Sequence, residues 1–329
     1  MKKTSCLLVL YFIFTIVPFY VSAQDPLPSW NDGAAKTAII EFVQKTTSPS
    51  DSDFIPIDER IATFDQDGTL WTEKPVYTQF FFAVSKIKKL EPQHPEWRQQ
   101  QPYQAILEDD LEKMQSFNLQ DIEKIIAATH AGMTTTEFQK EVQEWLTVAK
   151  HPRFNKFYTE MIYRPMLELI EYLKIHEYKV YIVSGGGQDF IRTYSQNVYG
   201  IPTEQIIGSA GKTRYEYQEA KPVLIKQPEI LLVDDKSGKP EAIHFLIGKK
   251  PAFAAGNSDG DREMLEWSQT SKNKSLQILV HHDDPVREYA YDVNSKIGTF
   301  SASLKEEALK DKWIIVSMKN DWKKIFSFD

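Results

Sequence analysis

Short, mostly apolar runs recur along the chain, Ile61–Phe64, Val180–Val183, Pro251–Ala255 and Leu276–Val280, and the first three break into polar, glycine-containing segments. Apolar runs of this length read as strands buried on both faces. Ile206-Ile207 reads as a shorter strand. Arg214–Val233 (Tyr215, Tyr217, Val223, Ile225, then Ile230 to Val233) reads as a hairpin or a pair of strands. Apolar positions at helical spacing fill Asp32–Lys45, Phe157–Ile175, Gln188–Tyr199, Lys239–Ile247 (with Pro240 in its first turn) and a segment from Arg262. Helix, strand, glycine loop, helix is the pattern of a parallel α/β sheet, Rossmann-like, with helices on both faces. From Thr72 to about Arg153 the spacing predicts only helices: Val76–Leu90, Tyr103–Phe117, Leu119–His130 and Thr135–Ala149. That block follows the first strand and is too long for a crossover, so residues 72–153 are expected to form a helical cap. The core domain would comprise residues 24–71 and 154–329.

The first 23 residues differ in kind. Lys2 and Lys3 precede an almost unbroken apolar run, Leu7–Val21, and Val21-Ser22-Ala23 places small residues at a cleavage site. This is the pattern of a secretory signal peptide; the run of about 15 residues falls short of the ~20 that span a bilayer. Cleavage would remove Cys6, the only cysteine among 329 residues, and two lysines, taking the formal charge from −7 to −9. A periplasmic or secreted location and no stable membrane insertion after cleavage are the expectations. With 42% hydrophobic residues the chain can build a core without disulfides. The acidic balance argues against nucleic acid as the main partner.

Three of the apolar runs end in groups that carry chemistry. Ile61–Phe64 is followed by Asp65-Gln66-Asp67-Gly68. Alternation puts both carboxylates on one side of the strand end, where they repel unless a cation relieves them. Ser184 with Gly185 to Gly187 presents a hydroxyl and unhindered N–H groups, suited to a phosphate. Gly256-Asn257-Ser258-Asp259-Gly260-Asp261 brings an amide and a carboxylate to a third turn, oxygen donors suited to Mg²⁺. Lys239, directly before Pro240, is a candidate cation for the phosphate. In a parallel sheet such turns converge outside the carboxyl ends of the strands.

Taken in order, Asp65-Gln66-Asp67-Gly68-Thr69-Leu70, Ser184, Lys239 and Gly256–Asp261 resemble the four motifs of the haloacid dehalogenase superfamily, specifically its phosphoserine-phosphatase-like phosphatases. The resemblance implies that Asp65 is a nucleophile forming an aspartyl-phosphate and that Asp67 is the acid, then the base. It implies that Ser184, Gly185 and Lys239 hold the phosphoryl oxygens, and that Asp65, Asp67 (through its carbonyl), Asn257 and Asp261 hold Mg²⁺. The substrate would be a small phosphomonoester. The chain departs from the family where many members have Asp in place of Asn257, which puts more weight on Asp261 and Asp259. Phosphotransfer is an alternative on the same scaffold, as is a phosphocholine-type ester caged by Trp71 and Tyr77; an inactive phosphate-ester-binding protein is an alternative of another class. Arg164 and Arg192 are candidate partners for a phosphoserine carboxylate.

Overall fold

A computed structural model describes residues 25–329; the segment read above as a signal peptide lies outside the described residues. Helix α1 (Ala34–Thr47) precedes strand β1 (Ile61–Phe64). Between β1 and the next strand, residues 72–153 contain α2 (Thr78–Leu90), α3 (Tyr103–Leu107), α4 (Leu111–Met114), α5 (Leu119–His130) and α6 (Thr135–Leu146). Helix α7 (Arg164–Ile175) leads into β2 (Lys179–Gly187), followed by α8 (Gln188–Arg192) and α9 (Ser195–Tyr199). Then come β3 (Ile206–Gln218), β4 (Lys221–Leu232), α10 (Gly238–Leu246), β5 (Phe253–Gly256) and α11 (Arg262–Gln269). Strand β6 (Leu276–His281), α12 (Ala302–Lys310), β7 (Ile314–Ser317) and α13 (Met318–Asp321) complete the order.

The seven strands lie in the order β4-β3-β2-β1-β5-β6-β7, parallel except for the β3–β4 hairpin. This is the expected α/β sheet. Successive side chains feed two separate apolar clusters: Ala62, Phe64, Val180, Ile182, Phe253 and Ile278 pack on one face, Ile61, Tyr181, Val183, Ala254 and Leu279 on the other. Burial on both faces explains why these strands are mostly apolar in sequence, with Thr63 and Gln277 as buried polar exceptions. Ala83, Ile87, Trp97, Ile106 and Ile125 gather a small core of their own within the helical segment, whereas Phe82 and Phe138 join the main one.

Several elements differ from the spacing-based expectation for local reasons. The helix expected over Tyr103–Phe117 is broken: Asp109 is left-handed (φ 56°), and Asp110 caps α4 by accepting from the Lys113 N–H at 2.9 Å. The helix expected over Gln188–Tyr199 is two short pieces; at the break Thr193 Oγ1 donates to the Phe190 carbonyl. The helix expected from Phe157 starts only at Arg164, because Pro165 suits a first turn and not an interior. Strand β2 does not stop at Val183 but runs to Gly187, with a shift of register against β3 between Ser184 and Gly187. Strand β7, a short apolar run against β6, was not anticipated.

The β3–β4 hairpin turns through Glu219 and Ala220, both left-handed (φ 48° and 62°). A two-residue turn with both centres at positive φ is the type that Asn-Gly fills without strain. Replacing Glu219-Ala220 by Asn-Gly is expected to raise stability by about 1–2 kcal/mol, read as a rise in the denaturation midpoint at constant slope.

Candidate active site

The turn after β1 builds the centre of the site. The Asp65 N–H continues the ladder to the Ala255 carbonyl at 2.9 Å. The chain then folds back on itself: the Leu70 N–H donates to the Gln66 carbonyl and the Gly68 N–H to the Trp71 carbonyl. Gly68 is left-handed (φ 81°), and a Cβ there would lie 2.2 Å from Asn257 Nδ2. Only glycine meets both conditions. Behind the turn, His282 contacts the Gly68 carbonyl through Nε2 at 2.7 Å and Glu288 through Nδ1 at 3.2 Å.

Asp65, 6% exposed, meets the ammonium of Lys239 at 2.6 Å through Oδ1. The same ammonium donates to Asp261 Oδ1 at 2.6 Å and to the Val183 carbonyl at 3.0 Å. Lys239 is thus a buried bridge between two carboxylates, placed by α10; Lys236, three residues earlier, is exposed. Burial works against the Lys239 charge, but Asp261, Asp65 and Asp234 outweigh it and hold the ammonium above the lysine range. Burial, then repulsion from Asp261, pushes Asp65 well above the carboxylate range despite Lys239. One ammonium does not balance this cluster, so the site favours a further cation.

Asp67 Oδ1 accepts from Trp71 Nε1 at 2.7 Å. Its Oδ2 faces the glycine segment, 3.4 Å from where a Gly186 Cβ would stand. Burial lifts Asp67 to about 6 although Trp71 and Lys239 pull the other way. Trp71 itself does not line the cavity: it is 1% exposed and stacks on Tyr194 at 4.9 Å between ring centres. The aromatic cage drawn from Trp71 and Tyr77 is therefore corrected, because the indole is used inside the core.

The oxygen donors expected for Mg²⁺ are brought together in part. Thr69 Oγ1 stands 3.4 Å from Asp65 Oδ2 and 3.2 Å from Asn257 Oδ1, so two hard oxygens gather at one point. Asn257 Nδ2 donates to Glu73 Oε1 at 2.7 Å, which turns the amide oxygen toward Thr69. These donors fit a hard divalent cation. Asp261 is committed elsewhere: Oδ1 takes Lys239, and Oδ2 accepts from the Asn257 and Ser258 N–H groups at 2.9 and 3.0 Å. It closes the loop and anchors the lysine. Asp259 turns away, accepting from Ser301 Oγ at 2.7 Å.

Ser184 is 1% exposed, and its Oγ accepts from the Gly186 N–H at 3.0 Å. Gly185 lines the same cavity. The Gly187 N–H donates to Gln79 Oε1 at 2.6 Å, so the first turn of α2 reaches the glycine segment. A cavity of about 420 Å³ joins these groups: Asp65, Asp67, Ser184, Gly185, Lys239 and Asp261 all line it. Asn257 sits behind the Asp65 turn.

Glu73, Gln79, Asp234 and His282 were missed from sequence. Glu73 had a signal, an acid next to the apolar Leu70-Trp71 pair just after the paired aspartates; burial lifts it to about 7. Gln79 and His282 depend on long-range contact and had none. Asp234 is fully buried with neither carboxylate oxygen hydrogen-bonded, and burial lifts it to about 7 against the pull of Lys239 and the Ser184 N–H. A carboxyl raised in the folded state stabilises fully below its unfolded value near 3.8, and that contribution is lost as pH rises through about 7. Asp234→Asn is therefore expected to match the parent in unfolding free energy near pH 4 and to exceed it at pH 8, by about 1 kcal/mol or more, as denaturation midpoints at the two pH values would show.

A family model of haloacid dehalogenase-like hydrolases matches residues 62–266. No curated protein sequence matches the chain. Among solved structures, a conserved protein of unknown function from Anaerococcus prevotii superposes with a TM-score of 0.51 at 14% identity, covering 89% of this chain and 94% of its own. A protein of unknown function from Bordetella pertussis does so at 0.50 and 15% identity, covering 78% and 98%. A phosphoserine phosphohydrolase-like protein from Francisella tularensis gives 0.40 at 16% identity, covering 76% and 99%. The matched span runs from β1 with its paired aspartates to the helix after Asp261 and contains Ser184 and Lys239, and on that ground the chain belongs to the haloacid dehalogenase-like hydrolase family.

Proposed function

We propose that the protein is a Mg²⁺-dependent phosphomonoesterase, exported to the periplasm or beyond, that works through an aspartyl-phosphate. The observation that carries this reading is the convergence of Asp65, Asp67, Ser184 and Lys239 on one cavity, with Lys239 2.6 Å from Asp65. In the first half-reaction an Asp65 oxygen attacks phosphorus, the bond to the leaving oxygen breaks, and Asp67 gives that oxygen its proton. Its position near 6 suits both giving and taking a proton around neutrality. In the second, water attacks phosphorus, Asp67 takes its proton, and the bond to Asp65 breaks to leave inorganic phosphate. Ser184, the Gly185 N–H and Lys239 hold the phosphoryl oxygens in both halves. Asp65, the Asp67 carbonyl and Asn257 would hold Mg²⁺, which when bound offsets repulsion between the Asp65 carboxylate and the phosphate dianion.

The test is phosphate release from p-nitrophenyl phosphate by the purified mature protein. Release is expected with Mg²⁺, to vanish with a chelator, and to return when Mg²⁺ is restored. Asp67→Asn is expected to slow it by about 10²–10⁴-fold. Full rate in the chelator would rule out the metal's part in this reading.

A further inference from the structure

The cavity extends well beyond the catalytic residues, and its far walls differ in character from its floor. The floor is polar: Asp65, Asp67, Glu73, Asp235 and the Ser184–Gly187 segment. Above it the lining comes from α2, α5, α6, α8 and β4, through Phe80, Ile122, Ile126, Phe138, Phe190 and Ile230. The charged side chains on this upper part are Lys226 and Asp189, and they neutralise each other in a direct ion pair. His130, also in the wall, is held neutral by burial, which lowers it to about 3. Arg164 is paired with Glu168, and Arg192 donates to the Thr203 carbonyl; neither lines the cavity.

We propose that the ester hydrolysed here carries an uncharged, apolar alcohol, a ring or branched hydrocarbon body, seated against Ile122, Ile126, Phe138 and Ile230. This rests on the phosphatase reading above and adds the substrate class to it. Apolar walls reward apolar area removed from water, and the two glutamines in the lining are already engaged, Gln79 with the Gly187 N–H and Gln227 with the Ile225 carbonyl, which leaves the hydroxyls of a polyol short of partners. A carboxylate on the leaving group meets no free cation there. A quaternary ammonium meets no free carboxylate there, and the Phe138 face that would receive it is already covered by Lys226 Nζ, 4.6 Å from the ring centre. The cavity volume falls in the range that encloses small organic ligands.

The test compares primary alkyl esters, so that intrinsic leaving ability stays alike: 2-phenylethyl phosphate against glycerol 3-phosphate, O-phosphoserine and phosphocholine. The apolar ester is expected to show kcat/KM on the order of 10- to 100-fold above each of the others. Ile126→Asp and Ile230→Asp, each checked for an unchanged melting profile, are expected to reduce that ratio at least about fivefold. Equal values, or preference for any of the three polar esters, would overturn the proposal. Calorimetric binding to Asp65→Asn separates the two readings. If no ester is turned over by the parent protein, the phosphatase reading falls, while tenfold tighter binding of 2-phenylethyl phosphate than of glycerol 3-phosphate still supports the apolar chamber and equal binding refutes it.

Discussion

Asp65→Asn gives a folded protein whose phosphate release falls by about 10⁴-fold or more. The amide keeps the shape of the side chain and an oxygen for the Lys239 ammonium, now 2.6 Å from Oδ1, but it is not a nucleophile toward phosphorus. Stability is expected to hold or rise, because the change removes a charge that burial and Asp261 disfavour. Two measurements check this together: steady-state phosphate release, and the melting temperature of the same preparation. In the parent protein, a rapid acid quench during turnover should trap phosphate on the chain in a form that hydroxylamine cleaves, as an acyl phosphate is cleaved. The Asp65→Asn protein should trap none. Turnover within tenfold of the parent would place the nucleophile elsewhere.

Lys239→Met is expected to be the most damaging single change for stability, by about 3–5 kcal/mol at pH 8. It strands the Asp65 and Asp261 carboxylates, both bridged by the same ammonium, and takes the nearest cation from Asp234. Without that cation the folded-state carboxylates rise further above their unfolded values. Carboxyls raised in this way cost stability above those raised values and cease to do so as pH falls. The deficit should therefore shrink between pH 8 and pH 5, as denaturation midpoints would show. Adding Asp261→Asn to Lys239→Met should recover part of the stability without restoring activity, a coupling that independent sites would not show. A deficit unchanged with pH would mean that lost packing, not charge, is the cause.

The parts of this molecule legible in the sequence were those specified by neighbours in the chain. Ile61–Phe64 is apolar on both faces because both faces are covered, and the carboxylates two residues apart leave it on the same side. Lys239 was singled out by its place against Pro240, and the fold buries it where Lys236 is exposed. What could not be read depends on contacts between distant segments. Gln79 meets Gly187 across 108 residues, and His282 meets the Gly68 carbonyl across 214. No local pattern marks either one. Trp71 could not be assigned from sequence for a related reason: an aromatic next to the paired aspartates can face the ligand or the core, and only the stacking on Tyr194 decides. Asp261 was assigned by type, an oxygen donor on the right loop, whereas its two oxygens are claimed by Lys239 and by backbone N–H groups.

The β3–β4 hairpin and the helical segment are stitched at one place: the Gly132 N–H donates to the Lys226 carbonyl and the Lys226 N–H to the Met133 carbonyl, both at 2.9 Å. That seam lies far along the chain from both Asp65 and Asp67. Residues on either side of it, Ile126 and Ile230, line the apolar part of the cavity, while those on the strand ends line its polar floor. On the proposed reading, selection of the ester and its hydrolysis fall to separate stretches of the chain, so substitutions in the hairpin and the helical segment would change which ester is accepted and leave the chemistry as it is.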